Sequence, residues 1–246
     1  MPAASHPSHD RFATTRWSMV MKLAGEHASD AQGALAELAQ RYWYPVYAYV
    51  RRCGHPPEVA HDITRAFLGQ LTRRFRETHE RPPPGHFRRY LLNELNTFLA
   101  GDWRAVIRSA VGDALQPPPD LEMRNQRDNA AAASPEQAYQ RSFALEVLAR
   151  ALRRLQAEAN QTGHLAMYES LQPYLSHDPG PGDYQAVATR LKMPPLALVV
   201  ALKRLRQRFR ELAGQELSDT VTSAEDLMKE QATLLAVLRD IQNPAS

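Results

Sequence analysis

The residues best suited to chemistry on a polyanion lie near the C-terminus of this chain. Lys203, Arg204, Arg206, Arg208 and Arg210 fall within one short stretch that contains no acid. Leu198, Leu202, Leu205, Phe209 and Leu212 recur through the same region at helical spacing. The pattern predicts a helix with one apolar and one cationic face. Lys203, Arg204 and Gln207 are its candidate DNA contacts, because ammonium and guanidinium groups hold phosphates and a carboxamide can bond a base edge. Ahead of it, Tyr184, Val187, Ala188 and Leu191 share the face of a shorter helix, and Pro194 and Pro195 punctuate the turn between the two. A short helix, a turn and a cationic amphipathic helix form the layout of a helix-turn-helix DNA reader. An ordinary helical hairpin with a solvated basic face has the same periodicity.

A second set occupies 87–106. Phe87, Leu91, Leu95 and Phe98 make a buried stripe, and Arg89, Asn93, Asn96, Trp103 and Arg104 fall opposite it. Cations, carboxamides and an indole on one face are groups that hold phosphates, read base edges and stack on unpaired bases. A merely solvated helix face has the same make-up. Catalytic spacing is missing. His55 and His61 have no matching Cys or His pair for a zinc site, and no glycine loop is arranged to cradle a phosphate. The chain reads as a non-enzyme that needs no cofactor or metal.

Helices must position both sets. Few glycines and no alternating β-branched run predict an all-α fold: two helical domains joined by a flexible linker, the second containing the helix-turn-helix. Residues 1–13 read as a disordered N-terminus, and a short helix is expected at 17–25. The first domain spans 14–111. In it, 34–50 is helical, with Leu35, Leu38, Tyr42, Val46 and Tyr49 on one face, Pro45 as a bend and Gly54 as the stop. The cluster Tyr42, Trp43, Tyr44, Tyr47 and Tyr49 reads as core and core-rim. The next helix, 57–74, turns Val59, Ile63, Phe67 and Leu71 inward and His61, Thr64, Arg65, Leu68 and Thr72 outward. A break at 81–85 precedes the 87–106 helix. The linker is 112–134, which has prolines and alanines but no apolar period. The second domain, 135–216, opens on Ser134, Pro135 and Glu136 as N-cap, first-turn proline and acidic first turn. Helices at 135–155 and 165–175 precede the 183–212 pair, and 217–246 is a C-terminal helical extension.

Composition narrows the setting. Among 246 residues, 30 lysines and arginines face 27 acids, a net charge of +3, compatible with a nucleic-acid partner. Cys53 is the only cysteine, so no internal disulfide forms, and a reducing, cytoplasmic location is expected. The N-terminus lacks the apolar stretch of a signal peptide, and no apolar run is long enough to span a membrane.

Three motifs in order carry a family resemblance. RYWYPVYAYVRRCGHPPEVAHDITRAFLGQL resembles the core-polymerase-binding region of bacterial sigma factors of the extracytoplasmic-function type, in which a stretch like YxxLYxYLRRxGxxxEDAEDLTQEFF is characteristic. GHFRRYLLNELNTFLAGDWR resembles their promoter-melting helix, and YESLQPYLSHDPGPGDYQAVATRLKMPPLALVVALKRLRQRFREL their upstream-promoter domain. The resemblance covers most of 14–240. It implies that the 57–74 helix docks on the clamp coiled coil of core RNA polymerase through His61, Asp62, Thr64, Arg65 and Leu68. It also implies that the 87–106 helix captures the non-template strand of promoter DNA.

Departures from the family pattern carry further expectations. Lys192 stands where relatives usually have a turn glycine. Leu196, Val199 and Val200, outward on the wheel, are poor hydrogen-bonding base readers. Relatives carry an acidic run, EDAEDLTQE, where this chain has PEVAHDITRA. Phosphorylation of Thr64 by a Ser/Thr protein kinase is then an expected way to restore the acidity, with an acidic replacement there mimicking it in part. The competing class is a helical adaptor or regulatory scaffold that binds polymerase or another protein without reading DNA.

Overall fold

A computed structural model describes residues 28–78, 86–109, 116–180, 182–218, 220–221 and 223–242. The expectations for 1–13, 17–25 and 81–85 lie outside the described residues. Among those described, the chain is all-helical, with ten α-helices, one 3-10 turn and an isolated β-bridge. In chain order the helices are α1 (Ala28–Arg52), α2 (Pro57–Thr78), α3 (Phe87–Ala100), α4 (Trp103–Ser109), α5 (Leu121–Asn129), α6 (Pro135–Gln161), α7 (Leu165–Leu171), α8 (Asp183–Leu191), α9 (Pro195–Ser218) and α10 (Ala224–Gln242). None of them is long and apolar enough to cross a membrane. The described residues form two compact units: unit 1 from those up to 146 with those from 217 onward, and unit 2 from those within 147–216.

Unit 1 is built on α1. Every residue from Arg41 to Val50 is buried, and the helix runs unbroken through Pro45. A proline there removes one backbone bond, but packing on all sides holds the path. Gly54, at φ +94°, ends the helix in a conformation that a β-carbon would strain. The aromatic cluster is core, and three of its hydroxyls are matched. Tyr44 donates to Asp128 at 2.8 Å, Tyr47 to Glu122 at 2.6 Å and Tyr49 to Asn96 at 2.6 Å. Burying a large aromatic side chain contributes on the order of 2–3 kcal/mol, and a matched hydroxyl avoids the desolvation cost that would offset it.

The segment 112–134 is not a plain flexible linker. Residues 121–129 form α5, pinned to α1 by polar contacts. Arg51 pairs with Glu122 at 2.6 Å, and the Arg124 guanidinium lies 3.8 Å from the Tyr44 ring centroid. Arg124 also pairs with Glu146 at 2.8 Å. The Arg51 and Tyr47 bonds hold the Glu122 carboxyl down at about 2. Helix α5 shows no apolar period because Leu121 is its only buried apolar side chain. The first half of α6 also packs in unit 1, with Phe143 stacked on Tyr42 at 5.9 Å. The boundary by contacts therefore falls at 146/147 instead of within 112–134. Residues 217–246, expected as an appendage, also belong to unit 1.

Unit 2 has two joined apolar clusters. Ala151, Leu155, Tyr168 and Leu212 form one, and Leu171, Val187, Ala188, Leu198 and Leu202 the other. The helix expected at 165–175 stops at Leu171 and tightens into a 3-10 turn at Gln172–Leu175, because Pro173 cannot donate an α-helical bond. Between α8 and α9, the Lys192 N–H bonds to Thr189 O and the Met193 N–H bonds to Ala188 O at 3.0 Å. This pair of bonds requires a left-handed residue, and Lys192 is held at φ +53°. Replacing Lys192 with glycine should therefore stabilise unit 2 by about 1 kcal/mol. A denaturant midpoint no higher than the parent's would count against this geometry.

Candidate nucleic-acid interface

In unit 1 the expected single helix over 87–106 is two helices. The chain breaks at Gly101 and Asp102. The Gly101 N–H closes α3 on Thr97 O and Phe98 O, and Asp102 Oδ1 caps α4 by accepting the Ala105 N–H at 3.1 Å. The glycine-aspartate pair is a stop-and-start signal legible in the sequence. As a result Trp103 and Arg104 do not share a helix with Asn96. Arg89, Asn93, Asn96 and Arg104 are exposed and Trp103 is half-buried. The Asn96 carbonyl is occupied by Tyr49, which leaves its amide N–H groups as the outward donors. Arg104 sits 4.2 Å from the Trp103 ring centroid, and His55 meets that ring edge-on at 5.4 Å.

The break creates a cavity of about 200 Å³ among α2, α3 and α4. Phe67, Phe98 and Trp103 supply aromatic walls, and Gln70, Thr97 and Asp102 supply polar ones. Its volume exceeds the about 150 Å³ of a cavity that admits a benzene ring. Glu94, also at the wall, is taken by Arg74 at 2.7 Å. Gln70 and Thr97 were not among the residues singled out from the sequence. Nothing in helical periodicity marks a cavity that three elements share.

Helix α2 corrects the expected polymerase face. Thr64 and Leu68 are fully buried, and so is Thr72. A wheel marks the dominant apolar stripe, but α2 packs against both α1 and α4, so more than one side is covered. The threonines tolerate burial because their hydroxyls bond back to Ala60 O at 2.7 Å and Leu68 O at 2.8 Å. In this packing no kinase reaches the Thr64 hydroxyl. His61, Asp62 and Arg65 are part-exposed, and Arg65 lies 3.6 Å from Asp62. Burial, reinforced by Arg65, pushes the His61 imidazole below its ordinary value. His55 is lowered likewise by burial and then by Arg104.

In unit 2 the cationic stretch is sorted by its partners. Arg206 is taken by Asp178 at 2.7 Å and by Tyr174 O. Arg208 is taken by Glu158 at 2.7 Å and Glu211 at 3.1 Å. Arg210 bonds the Gln207 side chain, whose amide bonds Glu211. Lys203, Arg204 and Gln207 are exposed, and the two cations carry no ion pair among the described residues. Leu196 is 75 % exposed, and Val199 and Val200 also face solvent. Leu196, Val200, Met193 and Met167 line an apolar groove of about 1150 Å³, with Arg204 at its rim. Among the described residues no three metal-binding side chains converge. No family model, curated protein or solved structure matches the chain.

Proposed function

We propose that this chain is a transcription initiation factor of the sigma type, which binds core RNA polymerase in the cytoplasm and directs it to promoters. The observation that carries the reading is the cavity at the α3–α4 break. An aromatic-walled cavity is lined by α3 and α4, the helices that also carry exposed Arg89, Asn93, Asn96 and Arg104. Phosphate-holding groups along a strand and a stacking wall for one base suit an unpaired strand better than a duplex. Capture of a base there offsets the cost of opening the duplex, and stacking contributes about 1–3 kcal/mol per base. The chain itself does no bond chemistry.

On this reading, α2 meets the clamp coiled coil through Glu58, His61, Asp62 and Arg65. Thr64 and Leu68 support the helix from within. Helices α8 and α9 act as a helix-turn-helix on upstream duplex, where Lys203 and Arg204 are the cations available for phosphates. The exposed Leu196, Val199 and Val200 favour a second reading, an adaptor that binds a partner through unit 2 and does not read DNA. Run-off transcription with purified core RNA polymerase separates the two. A sigma factor yields promoter-dependent transcripts and permanganate-reactive thymines. Stable polymerase binding without either product would overturn the proposal in favour of the adaptor.

A further inference from the structure

Helix α3 lacks the local signals that usually secure a helix N-terminus. Its N-cap, His86, makes no side-chain capping bond, and its first turn contains no acid. Arg88 and Arg89 instead place two cations at the positive end of the helix dipole. The missing groups come from the far end of the chain. Thr220 O accepts the Phe87 N–H at 2.9 Å, and His86 and Val221 form an antiparallel bridge. Helix α10 then brings two carboxylates to the same turn. Asp226 lies 3.6 Å from His86 Nε2, and Glu230 lies 3.4 Å from His86 Nδ1. Glu230 also holds Arg88 by two bonds, one from Nε and one from the terminal nitrogen at 2.8 Å. The Arg88 and Glu230 side chains are only 6 % and 2 % exposed. The guanidinium lies 5.5 Å from the Phe143 ring centroid, and Tyr139 donates to Arg88 O at 3.0 Å.

We infer that the C-terminal segment carrying Thr220, Val221, Asp226 and Glu230 caps α3 from a distance in the chain, and that Glu230 is a positioning residue for strand capture. The second half of the inference rests on the proposed role of α3. Arg89 stands on the turn that this segment fixes, and Asn93 lies one turn further on. Without the Glu230 charge, Arg88 is a buried cation that has lost the carboxylate holding it and must leave its site. The first turn then frays, and Arg89 loses its fixed bearing on a strand phosphate. The Trp103 cavity is lined by α3 only from Glu94 onward, roughly 10 Å along the helix from Phe87 at about 1.5 Å per residue, and keeps its walls.

The test uses the full chain with Glu230→Gln, which keeps the shape and removes the charge, and Glu230→Asp, which keeps the charge. Two quantities are measured: amide hydrogen exchange, and affinity for a labelled single-stranded oligonucleotide with core RNA polymerase present. In Glu230→Gln the amides of 87–91 should exchange about tenfold faster, the scale of one lost helix cap, while those of 42–50 keep their protection. Oligonucleotide affinity should fall about three- to tenfold on the same scale, and Glu230→Asp should recover most of both losses. Unchanged protection at 87–91, or an equal loss in every helix, would overturn the cap. Faster exchange at 87–91 with unaltered affinity would overturn the positioning role. If the parent chain fails to bind the oligonucleotide, the strand-capture reading falls and takes the positioning role with it. The exchange measurement still decides the cap.

Discussion

Replacing Trp103 with alanine should weaken capture of single-stranded promoter DNA about 5- to 100-fold while leaving the association with core RNA polymerase intact. The range follows from the roughly 1–3 kcal/mol that one base gains by stacking on an aromatic side chain, at about 1.4 kcal/mol per tenfold. Trp103 is the residue to choose because it is both half-buried and a wall of the α3–α4 cavity. Its ring already holds Arg104 at 4.2 Å, so the indole and the cation form one surface. Losing the indole therefore also releases Arg104 from its place. Trp103→Phe should retain most of the affinity, since a smaller ring still offers a face. Arg104→Ala should cost less and should chiefly shallow the salt dependence, as expected for a phosphate contact. Helix α2 does not depend on the indole for its packing on α1, which is why polymerase association should survive. A permanganate footprint of the melted region that is identical for Trp103→Ala and the parent would remove this surface from consideration as a strand site.

Replacing Thr64 with aspartate should destabilise the protein by about 3–5 kcal/mol instead of activating it. Thr64 is fully buried beside Ile63, Phe67 and Leu68, and its hydroxyl has a backbone partner at Ala60. A carboxylate at this position would be desolvated, and burial of an unpaired charge costs several kcal/mol. Thr64→Val, which keeps the shape and loses one hydroxyl bond, should cost less than about 1.5 kcal/mol. The contrast between the two variants in urea unfolding isolates the charge. Equal midpoints for Thr64→Asp and the parent would mean that α2 is not packed on α1 as described. The same burial bears on regulation. A phosphate at Thr64 requires α2 to leave its packing first, so modification there is coupled to local unfolding.

Much of the helical layout was legible from residue types. Tyr42, Val46 and Tyr49 repeat at helical spacing and are buried, and Gly54 ends α1 where a glycine stop was expected. The α8–α9 turn was readable from Pro194 and Pro195, whereas the left-handed backbone at Lys192 was suggested only by the family resemblance. In α9, Leu198 and Leu202 face the core while Lys203 and Arg204 face solvent, as the 3.6-residue period requires. Helix α5 was hidden because its attachment is made by Glu122, Arg124 and Asp128, and a polar interface leaves no apolar period to find.

What the sequence determined by itself is therefore the set of helices that bury one apolar stripe, and the residue types displayed on their opposite faces. A periodic pattern records only whether a side is apolar. It carries no record of how many neighbours a helix will have. Only the tertiary structure decided that α2 is covered on more than one side, which moves Thr64 and Leu68 from a docking surface into the core. The same is true of the cations on α9. Arg206 and Arg208 read like Lys203 and Arg204 in the chain, but Asp178 and Glu158, distant in sequence, neutralise the first two and leave the others open. Arg88 and Glu230 stand 142 residues apart, and their pairing places the last helix against the first turn of α3. Pairing of this kind depends on which charged groups the fold brings within about 4 Å of each other, and local periodicity holds no information about that distance.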